Sequence, residues 1–193
     1  MVYRSNSSLA LPAIAGSVAD RTASTPSQLE IEITDLYDHL RSPLLRYVIM
    51  IGLTPADGEE VIQEVFLALF RHLRNGKPRD NLRGWLFRVA HNLALKQRQR
   101  SRTNRVMEPQ DGAEDLQIAH GPDPEQAMAA RQRRQGLLAV VRALPEKERY
   151  CLHLRAEGLR YREIAEVLGI SLGAVSLSLT RALARLTRAD GAL

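Results

Sequence analysis

The sequence predicts an all-α protein of two small helical domains joined by a flexible acidic linker, the second domain a helix-turn-helix. Three observations predict it. Apolar residues recur at intervals of three and four from Thr34 to about Arg102 and again beyond Pro124, the period of helices with one buried face. Helix punctuation falls between these stretches: Thr54-Pro55 and Ser171 read as starts, and Gly52, Asn75-Gly76 and Gly169 as stops. Between Val106 and Ala130 lysine and arginine disappear, while Glu108, Asp111, Glu114, Asp115, Asp123 and Glu125 gather among glycine and proline, which marks a tether rather than a packed element.

Residues 1–32, rich in Ser, Ala and Thr, read as a disordered tail. Its apolar stretch from Leu9 to Ala15 is too short, and too broken by Pro12, for an export signal. A first domain over 33–103 follows. Its opening helix carries Leu36, Leu40, Leu44, Leu45 and Val48, with Ser42-Pro43 as a break or a fresh helix start. The next helix begins with Thr54 as cap, Pro55 at the first helical position and Asp57 three residues on. It buries Val61, Ile62, Val65, Phe66, Leu69, Phe70 and Leu73, and sets Glu59, Glu60, Gln63 and Glu64 near the positive end of its dipole. Taken alone, those carboxylates describe a solvated, dipole-matched first turn.

A third helix opens near Asn81, with Leu82, Leu86, Val89 and Leu93 on one face. Here the positive charge concentrates: Arg79, Arg83, Arg88, Lys96, Arg98, Arg100, Arg102 and Arg105 face Asp80 alone. Trp85, Phe87, His91 and Asn92 are interleaved with them, a mixture that holds phosphates by charge and unpaired bases by stacking and hydrogen bonding. At least one of Trp85 and Phe87 reads as core. The linker spans 104–123.

The second domain, 124–190, opens on Asp123-Pro124 and carries Met128, Leu137, Leu138, Val141 and Leu144 up to Pro145. Tyr161 to Leu168 makes a short helix with Ile164, Ala165 and Leu168 on one face. Gly169 stops it, Ile170 plugs the core, and Ser171 caps a last helix whose expected apolar stripe is Val175, Leu179, Ala182, Leu183 and Leu186. Two helices about a tight turn are the shape of a DNA-reading module. They are also a common way of packing helices, so the neighbouring segments must decide.

Composition narrows the function. The 193 residues carry a formal charge of +5, and the pI near 9.8 suits a polyanionic partner. Cys151 stands alone, which excludes an internal disulfide and reads as a structural thiol. No metal-ligand spacing or glycine-rich phosphate loop occurs, and the histidines at 39, 72, 91, 120 and 153 are scattered. We therefore expect no enzyme, no catalytic residue, no cofactor and no metal site. No apolar run reaches the roughly 18 residues of a membrane span, and the expected location is cytoplasmic, without membrane insertion.

In this order the segments resemble a bacterial RNA polymerase sigma factor of the extracytoplasmic-function type, within the sigma-70 family. Three blocks between about residues 33 and 188 carry the resemblance: Asp57 to Phe66, Leu82 to Asn92, and Leu144-Pro145 to Leu186. The resemblance implies a region 2 domain, then a region 4 domain, acting together to recognise −10 and −35 promoter elements and to melt the −10 region. The β′ coiled coil of core polymerase, which also brings its β subunit as a partner, would bind Asp57, Glu59, Glu60, Gln63, Glu64 and Phe66, with Phe66 as an exposed apolar anchor on an acidic face. The −10 strand would meet Arg83, Trp85, Arg88, His91, Asn92, Lys96 and Arg98. The −35 duplex would meet Arg160, Arg162, Ser171, Ser176, Ser178, Thr180 and Arg181. Promoter DNA and core polymerase are the implied partners, with an anti-sigma factor left open. The acidic linker would either mimic RNA in a polymerase channel or serve as a plain tether.

One departure stands out. Where family members carry Thr, Lys and a Ser-Arg pair, this recognition helix has Ala174, Ser176, Leu177 and Ser178. Bidentate guanine reading, worth roughly 1–3 kcal/mol per contact, is absent before Arg181, so weak or unusual −35 reading is expected. The competing reading is a helix-turn-helix regulator that binds duplex DNA without polymerase. An acidic helix followed directly by a basic, aromatic-interleaved one is not expected of a ligand-sensing domain.

Overall fold

The computed structural model describes residues 27–104 and 124–191. The expected tail up to residue 26 and the linker from 105 to 123 lie outside the described residues. Those described form seven α-helices and no strand: α1 (Gln28–Ile51), α2 (Pro55–Arg74), α3 (Leu82–Asn104), α4 (Pro124–Ala143), α5 (Glu146–Ala156), α6 (Tyr161–Leu168) and α7 (Leu172–Asp190).

Local chemistry sets most of the boundaries. Thr54 accepts from the Asp57 amide at 3.1 Å and Pro55 occupies the first turn of α2, where its missing N–H costs nothing. Asn81 accepts from the Gly84 amide at 3.0 Å to start α3, and Ser171 accepts from the Ala174 amide at 3.2 Å to start α7. Gly52 and Gly169 close α1 and α6 in the left-handed conformation that glycine adopts without strain.

Two boundaries differ from the sequence reading. The first helix begins at Gln28, inside the expected tail, because Ser27 and Glu30 form a reciprocal capping box. Nor does Ser42-Pro43 break it: α1 runs through Pro43 to Ile51. Leu40, Leu44, Tyr47, Val48 and Ile51 make one buried stripe, and packing along that stripe offsets the backbone bond that proline removes.

Helices α1, α2 and α3 pack on one another to make a first lobe. α2 approaches α1 closely at Gly58, where an added Cβ would lie 3.0 Å from Leu45 Cδ1. A second lobe forms as α4, α5 and α6 each pack on α7. The lobes are not separate cores. α3 lies along α6, and one apolar cluster continues from Tyr47 and Phe87 into Tyr150, Leu154, Leu159 and Ile164.

Candidate nucleic-acid interface

The chemistry-bearing residues of the first lobe divide between two helix faces. On α2, Glu60, Gln63, Glu64 and Leu67 are exposed at helical neighbour positions. Glu59 is half-buried and ion-paired with Arg41 of α1, and Asp57 is engaged by the Thr54 hydroxyl at 2.8 Å. Phe66 corrects the expectation of an exposed anchor. It is only 7% exposed and packs edge-on against Tyr37 with ring centroids 4.9 Å apart. Helical phase explains this: Phe66 follows Ile62 by four residues on the core stripe, whereas Leu67, 48% exposed, follows Gln63 outward.

On α3 the candidates separate. Arg88, Asn92 and Lys96, spaced by four residues, are exposed in one line, with Trp85 half-buried beside them against the His72 ring at 4.6 Å. Of the two aromatics, Phe87 is the core residue. The remaining three candidates face the second lobe. His91 is only 6% exposed, and its Nδ1 lies 2.9 Å from the Tyr47 hydroxyl. Burial, reinforced by the Arg98 charge, lowers its pKa to about 4, so the ring is neutral near pH 7. Arg98 donates to the Ile51 carbonyl at 2.9 Å, the Glu146 carboxylate at 2.8 Å and the Tyr150 hydroxyl at 3.2 Å. Arg83 donates to the Glu157 carbonyl oxygen and lies 3.7 Å from its carboxylate. The structure thus takes His91 away from any base in this arrangement, because its position on the helix points it at α1 and α5 rather than at solvent.

In the second lobe Ser171, Ser176, Thr180 and Arg181 of α7, and Arg160 and Arg162 at the start of α6, are all exposed. Ser178 is not: it is 7% exposed and hydrogen-bonded to Cys151. It is therefore removed from the DNA-facing set. The buried stripe of α7 is Val175, Ser178, Leu179 and Ala182, while Leu183 is 53% exposed and lies off the expected stripe. Leu172 and Leu177 are also about half exposed, so the outer face of the first turns of α7 is apolar and hydroxylic, with Arg181 as its first cation. Glu148, buried, pairs with Arg185 at 2.8 Å and fixes α5 on α7. The buried Cys151 thiol, pushed up in pKa by desolvation, is structural as read.

Among the described residues no cluster of three or more His, Cys, Asp and Glu is placed to hold a metal, and no single helix is long and apolar enough to cross a membrane.

Comparison with known proteins gives consistent matches. Residues 36–104 match the model of sigma-70 region 2, and residues 134–186 match that of sigma-70, region 4. The chain is 34% identical over 145 residues to the RNA polymerase sigma factor CnrH of Cupriavidus metallidurans, covering 70% of this chain and 74% of CnrH. It is 36% identical over 121 residues to the ECF RNA polymerase sigma factor SigE of Mycolicibacterium smegmatis, covering 62% of this chain but only 46% of SigE. Among solved structures, that of CnrH in complex with the cytosolic domain of CnrY aligns with a TM-score of 0.54 at 25% identity, over 83% of this chain and 88% of CnrH. The sigma factor RpoE of Bartonella quintana, solved with the anti-sigma factor NepR, shares the fold at the same TM-score of 0.54 and 20% identity, over 81% and 96% of the two chains.

Proposed function

This chain belongs to the sigma-70 family, in its extracytoplasmic-function group, and from that membership we propose how its surfaces divide the work of a sigma factor that brings core RNA polymerase to promoters. The observation that carries the reading is the first lobe, which matches region 2 and sets an acidic face on α2 beside a basic, aromatic-bearing face on α3. A regulator acting without polymerase is not favoured, since it has no use for that pair of faces.

In this reading Glu60, Gln63, Glu64 and Leu67 dock on core polymerase. A half-exposed leucine one turn from Glu64, with Glu60 a turn further back, supplies an apolar contact at the edge of an acidic patch. Arg88, Asn92, Lys96 and Trp85 meet the −10 strand, whose phosphates neutralise the cations while a base freed from the stack is held by the aromatic edge. Arg83 and Arg98 extend the phosphate track. The second lobe lays the start of α7 in the major groove at the −35 element, with Arg160 and Arg162 on the backbone. The protein supplies binding energy and positioning and no chemical step of its own. It works in the cytoplasm with polymerase, and an anti-sigma protein, as NepR is for the Bartonella quintana relative, is a further partner.

The α2 assignment is tested by Glu60→Lys/Glu64→Lys. Like-charge reversal at a docking face is expected to weaken the affinity for core polymerase at least about tenfold, while binding to single-stranded DNA is unchanged or stronger. Retained core affinity in a folded double variant overturns the assignment.

A further inference from the structure

The seam between the lobes runs where α3 lies along α6, and α7 packs on α4, α5 and α6 within the second lobe. Across the turn Gly169-Ile170-Ser171, α6 and α7 meet at 104°, an angle within the range of a helix-turn-helix. Opposite the buried stripe of α7, Gly173, Leu177, Thr180 and Ala184 form an exposed line at intervals of four, three and four residues. Ser176 flanks this line on one side and Arg181 on the other, and Leu177, 50% exposed, stands within it. An added Cβ at Gly173 would have nothing within 4 Å, and its φ is not positive. Neither packing nor backbone conformation inside the chain therefore asks for glycine there. Glycine weakens a helix relative to alanine, so its place on the outward line is explained by a close approach from outside the chain. Arg160, Arg162 and Arg181 are exposed cations, and among the described residues none of the three is ion-paired.

Resting on the assignment of α7 to the −35 duplex given above, we propose that this helix reads thymine, and that Leu177 is the specificity-determining residue, packing on the C5-methyl group in the major groove. Base chemistry makes the selection. Guanine shows the groove two acceptors and is read by arginine or lysine; adenine shows an acceptor and a donor and is read by asparagine or glutamine; cytosine shows a donor and is read by a carboxylate. None of those side chains stands on α7 before Arg181. Thymine alone carries an apolar group at that edge, its methyl, beside the O4 acceptor. Leu177 matches the methyl, and the Ser176 and Thr180 hydroxyls are the donors for O4. Against the other three bases Leu177 covers a polar edge that loses water and gains no partner, so the mismatch discriminates as well as the contact. Gly173, one turn before Leu177, lets the helix come close enough for a side chain as short as leucine to reach the base. Arg160, Arg162 and Arg181 hold phosphates, which adds affinity without sequence. The missing cations of the first turns thus change which base is read.

The experiment uses holoenzyme assembled from core RNA polymerase and the full chain. Double-stranded fragments randomised across the −35 and −10 segments are selected by run-off transcription and sequenced. Recovered fragments are then rebuilt with deoxyuridine for thymine in the −35 segment alone, which removes the C5-methyl groups and leaves the hydrogen-bonding edges in place, and holoenzyme affinity is measured by competition. We expect −35 segments enriched in thymine, and a loss of about fourfold in affinity for each methyl that Leu177 covers, the worth of one buried methyl group. Leu177→Ala is expected to bind the thymine and deoxyuridine fragments alike, and Leu177→Met, which restores an apolar contact, to recover most of the difference. Leu183→Ala, which removes an exposed leucine off the outward line, is the control and keeps the wild-type preference; circular dichroism verifies that each variant is folded. Recovered −35 segments rich in guanine or without base preference, or a deoxyuridine effect that survives Leu177→Ala, overturn the thymine reading, while their recovery by initiation leaves the sigma reading standing. If no fragment supports initiation, both readings fall.

Discussion

His91 and His153 carry the clearest consequence at the scale of single residues. Burial lowers the pKa of both, His91 to about 4. His91 faces the Tyr47 and Tyr150 rings with Arg98 nearby, and His153 faces Tyr47 with Glu157 and Arg46 nearby. A histidine whose native pKa is depressed binds its proton better when exposed. Its contribution to the native arrangement is therefore complete above the ordinary 6.5 and is lost progressively as pH falls from 6.5 towards 4. At 1.36 kcal/mol per pH unit, His91 accounts for up to about 3 kcal/mol across that window. We expect thermal stability and compactness to fall together between pH 6.5 and 4.5, and His91→Gln to flatten the profile. A profile unchanged in that variant would show that His91 is not the group that senses acid. The seam was not legible in the sequence: Tyr47 and His91 are separated by 44 positions, and no local pattern pairs Arg98 with Glu146 or Arg83 with Glu157.

At the scale of elements, the helices were legible where capping chemistry and period agreed, as in α2, α6 and the start of α7. At Phe66 the period, which placed it on the buried face, held, and the exposed anchor implied by the resemblance did not: Phe66 is core and the adjacent Leu67 is exposed. The same step separates Leu177 from Ser178 on α7. There the stripe follows Val175, Ser178, Leu179 and Ala182, a spacing of three and one and three that admits a small polar residue because Cys151 partners it. The two positions should respond oppositely to arginine. Ser178→Arg buries an unpaired charge and is expected to destabilise the fold by several kcal/mol, read as a drop in melting temperature. Leu177→Arg leaves stability within about 0.5 kcal/mol and raises duplex DNA affinity several-fold by adding a cation to the first turns of α7, which have none before Arg181. A Ser178→Arg protein as stable as wild type would contradict the assignment of the faces.

For the whole molecule, the sequence announced two helical modules in order and the chemistry of each, because helical period, capping and clustered charge are local properties. It could not announce that the modules share one core, since that depends on Tyr47, Phe87, Tyr150 and Leu159 meeting across the seam. In the proposed function both lobes serve one act, the placing of polymerase at a promoter. Run-off transcription with purified core polymerase on a library of promoter fragments, with and without this protein, tests it most directly. Initiation is expected at a defined subset of fragments only when the protein is present, and is expected to be lost in Glu60→Lys/Glu64→Lys and in Arg88→Ala/Lys96→Ala. Binding of the protein to duplex DNA with no polymerase-dependent initiation on any fragment would contradict it.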